Sequence, residues 1–268
     1  MAQTDWTIFD GSMDKDAGGA DSWFGVNIRR LVTSGVARPP GSSGSFVFGF
    51  NSLGTATGAV ALGCALDKFA PVQPPDSQGG GSIRGCVKRG VGGGRTGFSP
   101  FLFIGAQANN INAKAYLLGL EDANPSRIVL AKGQLLNGVP DVSNPASTKI
   151  LRYSKEGYDW DIWHHLRLDM VVNVNGSNSD VILRAYRSPI GEGQVGCENP
   201  QWAAVDFNDD LNDLHGAGAF IDDALCVNGD GTPPLAVGYL GFGFKSSDVA
   251  RRAYFDYLEV MRQSPIVT

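Results

Sequence analysis

Period-two alternation of apolar residues is the dominant pattern in this chain. Leu166, Leu168, Met170 and Val172 share one face of the segment His164 to Asn173, and Val181, Leu183 and Ala185 share one face of Asp180 to Arg187. The turn-forming run Val174-Asn-Gly-Ser-Asn-Ser179 joins them, so the two segments predict an antiparallel hairpin with one buried face. Near the end of the chain, Val237 to Lys245 alternates Leu240, Phe242 and Phe244 with Gly241 and Gly243, and Ala253 to Val260 follows as a second strand. Strict alternation in this last strand puts Phe255 and Tyr257 on one face and Tyr254, Leu258 and Val260 on the other.

The same reading predicts strands at Trp6 to Phe9, Trp23 to Val32, Ser45 to Phe50, Ala59 to Leu66 and Ser82 to Lys88. A meander is expected from Phe101 to Gln107, Ala115 to Glu121, Ile128 to Gln134 and Lys149 to Ser154. The Gly/Pro-rich stretches 71–81 and 90–97 read as loops. No long helical period and no repeat of solenoid length is present, which excludes helix bundles and Rossmann architectures. The prediction is an all-β antiparallel sandwich forming one domain over 1–268, with an acidic loop insertion at about 188–236.

Thirty-six glycines fit a fold of turns and close strand contacts, and 43% apolar residues suffice for a full core. No apolar run is long enough for a spanning helix, and Met1-Ala-Gln-Thr-Asp-Trp lacks a basic region followed by an apolar one, so neither membrane insertion nor export is expected. Cys64, Cys86, Cys197 and Cys226 show no Cys-x-x-Cys spacing and are expected as buried free thiols.

A net charge of −5 argues against a nucleic-acid partner, but the charge is unevenly spread. Between Arg187 and Lys245 lie nine acids and no Lys or Arg, which leaves the rest of the chain at +4. Opposite charges of this kind suit head-to-tail contacts between copies, with Arg84, Lys88 and Arg89 facing Asp209, Asp222 and Asp223.

Catalytic patterns are missing. Retaining glycoside hydrolysis needs two carboxylates about 5 Å apart, usually as Glu-x-Asp-x-x-Glu, and no Glu here is followed two residues later by Asp. Asp159 and Asp161 alternate just before Trp163, but such a pair more often flanks a strand. Gly92 to Gly97 and Gly191 to Gly196 match Gly-x-Gly-x-x-Gly without the strand-to-helix context that binds phosphate. His164 falls with Leu166 on the apolar face as a hydrogen-bonded core residue, and His165 points the other way with Arg167. The oxygen-rich run Asp206 to Asp213 offers Asp206, Asn208, Asp210 and Asp213 as calcium ligands, although no EF-hand is present.

The order Trp163-His-His-Leu-Arg-Leu-Asp, Val181-Ile-Leu-Arg-Ala-Tyr, an acidic insertion, Gly238-Tyr-Leu-Gly-Phe-Gly and Tyr254-Phe-Asp-Tyr-Leu-Glu-Val resembles the concanavalin A-like, laminin-G-like jelly roll, over 98–262. The resemblance implies two curved antiparallel sheets packed face to face. Domains of this kind occur in lectins, polysaccharide hydrolases, adhesion modules and bacteriophage particles, and the chain looks most like the phage group. The expectation is a non-enzymatic virion subunit, a decoration, collar or tail-associated protein made in the host cytoplasm and assembled with its own copies and other virion proteins. The alternative is a lectin-like module for host attachment, with Trp23, Trp160, Trp163 or Trp202 stacking on glycan.

Overall fold

The computed structural model describes residues 7–8, 23–26, 28–32, 39–41, 46–51, 59–65, 78–89, 98–108, 110–121, 123, 125–140, 142–143, 148–159, 162–175, 178–190, 195–208, 219–222, 231–236, 238–246 and 252–262. These residues form two antiparallel sheets. The first runs β13 (Ala203–Ala204), β12 (Asn178–Ser188), β11 (His164–Asn175), β6 (Gln78–Arg89), β16 (Arg252–Arg262), β4 (Phe46–Asn51), β3 (Ile28–Val32), with β1 (Thr7–Ile8) on β16 and β14 (Ala219–Asp222) on β12. The second runs β10 (Lys149–Tyr158), β9 (Ser126–Gln134), β8 (Lys114–Leu120), β7 (Phe98–Ala106), β15 (Tyr239–Ser246), β5 (Ala59–Ala65), β2 (Trp23–Val26). Among the described strands the chain crosses between the sheets eight times, from β1 to β2, β2 to β3, β4 to β5, β5 to β6, β6 to β7, β10 to β11, β14 to β15 and β15 to β16, the winding of a jelly roll.

The core lies between the sheets. Leu166, Leu168, Met170 and Val172 on β11 and Val181, Leu183 and Ala185 on β12 face Leu118, Leu120, Ile128 and Leu130 across the sandwich. Phe242 of one sheet meets Phe255 of the other with ring centroids 5.0 Å apart. The predicted hairpin and meander are present, and β11 and β12 pair without slip from His165↔Ser188 to Asn175↔Asn178.

The segment Trp23 to Val32, read as one strand, divides into β2 and β3 in different sheets, and the structure departs from the sequence reading in β6 and β16 as well. β6 begins at Gln78, so the triple glycine read as loop is strand. A Cβ on Gly80 would stand 2.3 Å from the Met170 carbonyl oxygen, so β11 approaches closer than any side chain allows there. The departure in β16 is a bulge. Between Asp256 and Glu259 its register against β6 slips by one residue, with Tyr257 at φ 52°. This bulge puts Phe255, Leu258 and Val260 in the core and Tyr257 in the cluster on the outer face, correcting the strict alternation expected.

The acidic excursion is also more than a loop. Its segments β13 and β14 pair with β12, and Phe207 bridges to Ser154 with its ring buried in the core.

Candidate functional site

Because directly opposed residues on antiparallel strands share a face, the register writes out the outer surface of the first sheet row by row. One row reads Tyr186, Arg167, Arg84, Glu259, and the next reads Arg184, Asp169, Ser82. Arg167 forks onto Asp169, with Nε donating to Oδ1 and Nη2 to Oδ2, each over 2.7 Å. Its guanidinium lies over the Tyr186 ring at 5.2 Å from the centroid. Arg84 Nε donates to Glu259 Oε2. The carboxylates are the buried partners, at 7% side-chain exposure for Asp169 and 1% for Glu259, against 22% for Arg167. Burial pushes the Glu259 carboxyl up, and the Arg84 hydrogen bond opposes that rise.

A third row reads Ser188, His165, Cys86, Asp256. Here the face is roofed by the segment 195–202, which runs into the edge strand β13. Cys197 N donates to the Pro40 carbonyl over 2.9 Å, Gln201 N to Ser188 Oγ over 3.0 Å, and Val205 N to the Ala185 carbonyl over 3.0 Å. Gly196 is required at the contact with 39–41, since a Cβ there would stand 2.9 Å from Gly41 Cα. Under this roof Cys86, Trp163, Ile190, Val195, Cys197 and Tyr254 form a local apolar cluster. Cys86 and Cys197 meet as a disulfide, which corrects the expectation of free thiols for these two. Cys226 and the side chain of Cys64 lie outside the described residues.

His165 is packed between Trp202, at 4.5 Å between ring centroids, and Tyr257, at 6.2 Å. It is completely buried, and neither ring nitrogen has a hydrogen-bond partner among the described residues. Burial, with help from the nearby Arg84 charge, lowers its pKa to about 3, so the ring is neutral. His164 faces the core as expected, its Nε2 2.7 Å from the Asp159 carbonyl oxygen, and burial lowers its pKa to about 4.

The other candidates named from the sequence are dispersed. Asp206 and Asn208 flank buried Phe207 and are exposed, but Asp206 Oδ1 accepts from Lys155 Nζ over 3.0 Å and Asn208 pairs with the backbone of Tyr153. Asp210 and Asp213, the other two calcium candidates, lie outside the described residues, as do Asp161, Asp209, Asp223 and Trp160. Asp222 is completely buried and cannot face another copy, because β14 turns its carboxylate inward to Lys132. Arg84 is neutralised by Glu259 of the same chain. Lys88 is half-buried on β6, and only the backbone of Arg89 and of Trp23 is described. Trp163 is 5% exposed and cannot stack on a ligand, whereas Trp202 is half-buried.

The polar rows on this face were not singled out from the sequence. Arg167, Asp169 and Tyr186 stand at the outward positions of the hairpin, so the alternation already held the signal, while the alignment with Arg84 and Glu259 depends on long-range pairing.

No family model matches the sequence, and no curated protein matches it. Among solved structures, the chain is similar to the Emp46p carbohydrate recognition domain in its metal-free form, with a TM-score of 0.46 and 9% identity over 98% of this chain and 100% of that one. It is similar to the carbohydrate binding module CBM66 from Bacillus subtilis, with a TM-score of 0.40 and 12% identity over 91% of this chain and 96% of that one. It is also similar to a carbohydrate esterase from Shiga toxin-encoding bacteriophage phi24B, with a TM-score of 0.41 and 10% identity over 97% of this chain and 100% of that one. At these identities and scores the likeness assigns no ligand to this chain and no role to any residue.

Proposed function

We propose that this chain is a non-enzymatic binding module that takes carbohydrate on the outer face of its first sheet. The observation that carries this reading is the Tyr186–Arg167–Asp169 arrangement, an aromatic ring, a guanidinium stacked on it and a carboxylate that holds the guanidinium by two bonds. A sugar offers an apolar CH face and adjacent hydroxyls, which the open parts of the Tyr186 and Trp202 rings and the guanidinium edge not held by Asp169 match. Tyr186, Arg184, Arg167 and Trp202 are all half-buried, a state that leaves part of each side chain open to a ligand. Asp169 serves as a positioning residue for Arg167.

Catalysis by this face has less support. Asp169 and Glu259 are each held by an arginine and almost fully covered, an arrangement unlike a carboxylate presented to a glycosidic bond. A phage-particle subunit joined through opposite charges is also less supported, since Arg84 and Asp222 are both neutralised within the chain.

The test is a glycan array with the monomeric protein, followed by calorimetric titration of any hit. Binding that is lost in Arg167→Ala and in Trp202→Ala, with thermal melting still cooperative, is the expected result. An array without a hit, together with self-association at low salt that disappears at high salt, would replace this reading with the assembly one.

A further inference from the structure

The Cys86–His165–Cys197 cluster is not used by the carbohydrate reading, and its chemistry is different. One ligand atom from each residue lies within 4.8 Å of the others, and all three residues are completely buried. Three separate elements bring them together. Cys86 lies near the C-terminal end of β6, His165 stands opposite it on β11, and Cys197 is carried in by the roof, where its N–H donates to the Pro40 carbonyl.

His165 supplies the independent sign of a missing partner. A buried polar atom left without a hydrogen bond loses its hydration with nothing in exchange, and in native proteins such groups are rare. Both nitrogens of this ring are in that condition among the described residues, whereas His164, Asp222 and Arg152, each with one such atom, bond through another of their atoms. The rings of Trp202 and Tyr257 fix the plane of the imidazole from two sides, so it cannot swing out to water. A neutral imidazole beside two sulfurs is a donor set for a borderline-soft cation, whereas calcium and magnesium demand oxygen.

We infer that Cys86, Cys197 and His165 form a redox-gated site for a thiophilic cation of the zinc class. In the disulfide form the sulfurs are bonded to each other and the site is closed. A dithiol reductant opens it by delivering two electrons and two protons to the disulfide, its own thiols becoming a disulfide in turn. Zn²⁺ then binds the two thiolates and the imidazole, and the two thiol protons leave to water. A bound ion would tie the roof to β6 and β11 at the point where Trp202 is held. The site does not depend on glycan binding.

The experiment uses the full chain with Cys64→Ser and Cys226→Ser, so that only the two thiols of interest remain. The protein is reduced with a dithiol reagent, freed of it without oxygen, checked for two free thiols, and titrated with Zn²⁺ against a chromophoric chelator. Co²⁺ is added in parallel as a spectroscopic probe. The expected result is one ion per reduced chain, none per oxidised chain, and a sulfur-to-cobalt charge-transfer band. Adding Cys197→Ser or His165→Phe abolishes or sharply weakens uptake. The proposal is overturned if reduced protein with its thiols confirmed leaves zinc on the chelator, or if folded Cys197→Ser protein takes up zinc as its parent does. Should the substituted chains fail to fold, the wild-type chain read in its reduced and oxidised forms decides the question by itself, since equal uptake in both forms also refutes it.

Discussion

Lys132 and Asp222 form an ion pair in the interior of the sandwich, with Nζ donating to Oδ2 over 2.6 Å and both side chains completely buried. Lys132 occupies the inward row of β9 beside Ile128 and Leu130, a row whose pattern calls for an apolar residue. Its other donors reach the carbonyls of Thr232 and Pro233 at 2.9 and 3.0 Å. Tyr116, opposite Lys132 on β8, donates its hydroxyl to the same Asp222 oxygen over 2.5 Å and accepts from Leu235 N over 2.9 Å. One lysine and one tyrosine of the second sheet thus fasten both β14 and the segment 231–235.

Breaking this latch on one side should be more harmful than removing it. Lys132→Met leaves the Asp222 carboxylate buried without its cation, a change expected to cost about 3–5 kcal/mol. Lys132→Met with Asp222→Leu removes both charges and should recover a large part of that loss. Urea unfolding of the two variants checks it, and a single substitution costing less than about 1 kcal/mol would mean that the pair is solvated.

Glycines divide into those fixed by space and those fixed by conformation. In β8, Gly119 lies opposite Phe101, and a Cβ there would stand 2.3 Å from the Pro100 carbonyl oxygen and 2.7 Å from Phe101 Cβ. Gly119→Ala must push β7 aside and should cost about 1–3 kcal/mol or more. Gly231 has nothing within 4 Å but sits at φ +78°, so Gly231→Ala meets only backbone strain, about 1–2 kcal/mol. Gly231→Asn should be milder than Gly231→Ala, a ranking that thermal melts of the three variants can test.

Local alternation made the sheets legible in the sequence, and long-range pairing hid the site. The inward rows Leu166 to Val172 and Leu240 to Phe244 are fixed by alternation alone, and they are in the core. Lys132 broke the same rule, because its partner Asp222 is 90 residues away and read as a surface acid. Gly79 to Gly81 read as loop because glycine signals turns, while the close approach of Met170 on a neighbouring strand has no local mark. Cys86 and Cys197 are 111 residues apart, and four cysteines leave three pairings open. The bulge at Tyr257 had no signal either, since positive φ is expected at Gly or Asn and seldom at an aromatic residue.

That bulge makes an unusual prediction about deletion. Without Tyr257 the order Phe255, Asp256, Leu258, Glu259, Val260 alternates inward and outward without interruption, and Leu258, Glu259 and Val260 keep their faces. Deleting Tyr257 should therefore give a folded chain that loses the contact with His165 and sheds the strain of φ 52°. Deleting Val171 from β11, which pairs without slip on both sides, should turn part of its inward row outward and abolish cooperative unfolding. Circular dichroism melts of the two deletions distinguish them, and equal damage from both would contradict the assigned register.

The fork between Arg167 and Asp169 can be measured apart from any ligand. Arg167→Ala leaves a carboxylate that is only 7% exposed without its cation, so stability should fall by about 2 kcal/mol. Asp169→Ala removes the acid instead and leaves a guanidinium that is 22% exposed and stacked on Tyr186, a smaller loss. The double substitution should be less damaging than the two single effects added together, with a coupling of about 1.5–3 kcal/mol for a charged, two-bond pair. Equilibrium unfolding of the four proteins closes the cycle. A coupling below about 0.5 kcal/mol would show that the fork is not held in solution, and Arg167 would then be too loosely placed to position a sugar hydroxyl. Asp169→Asn adds a finer reading, because its amide offers a single acceptor oxygen where the carboxylate offers two. On the carbohydrate reading it should weaken glycan binding by about tenfold, and Arg167→Ala by more.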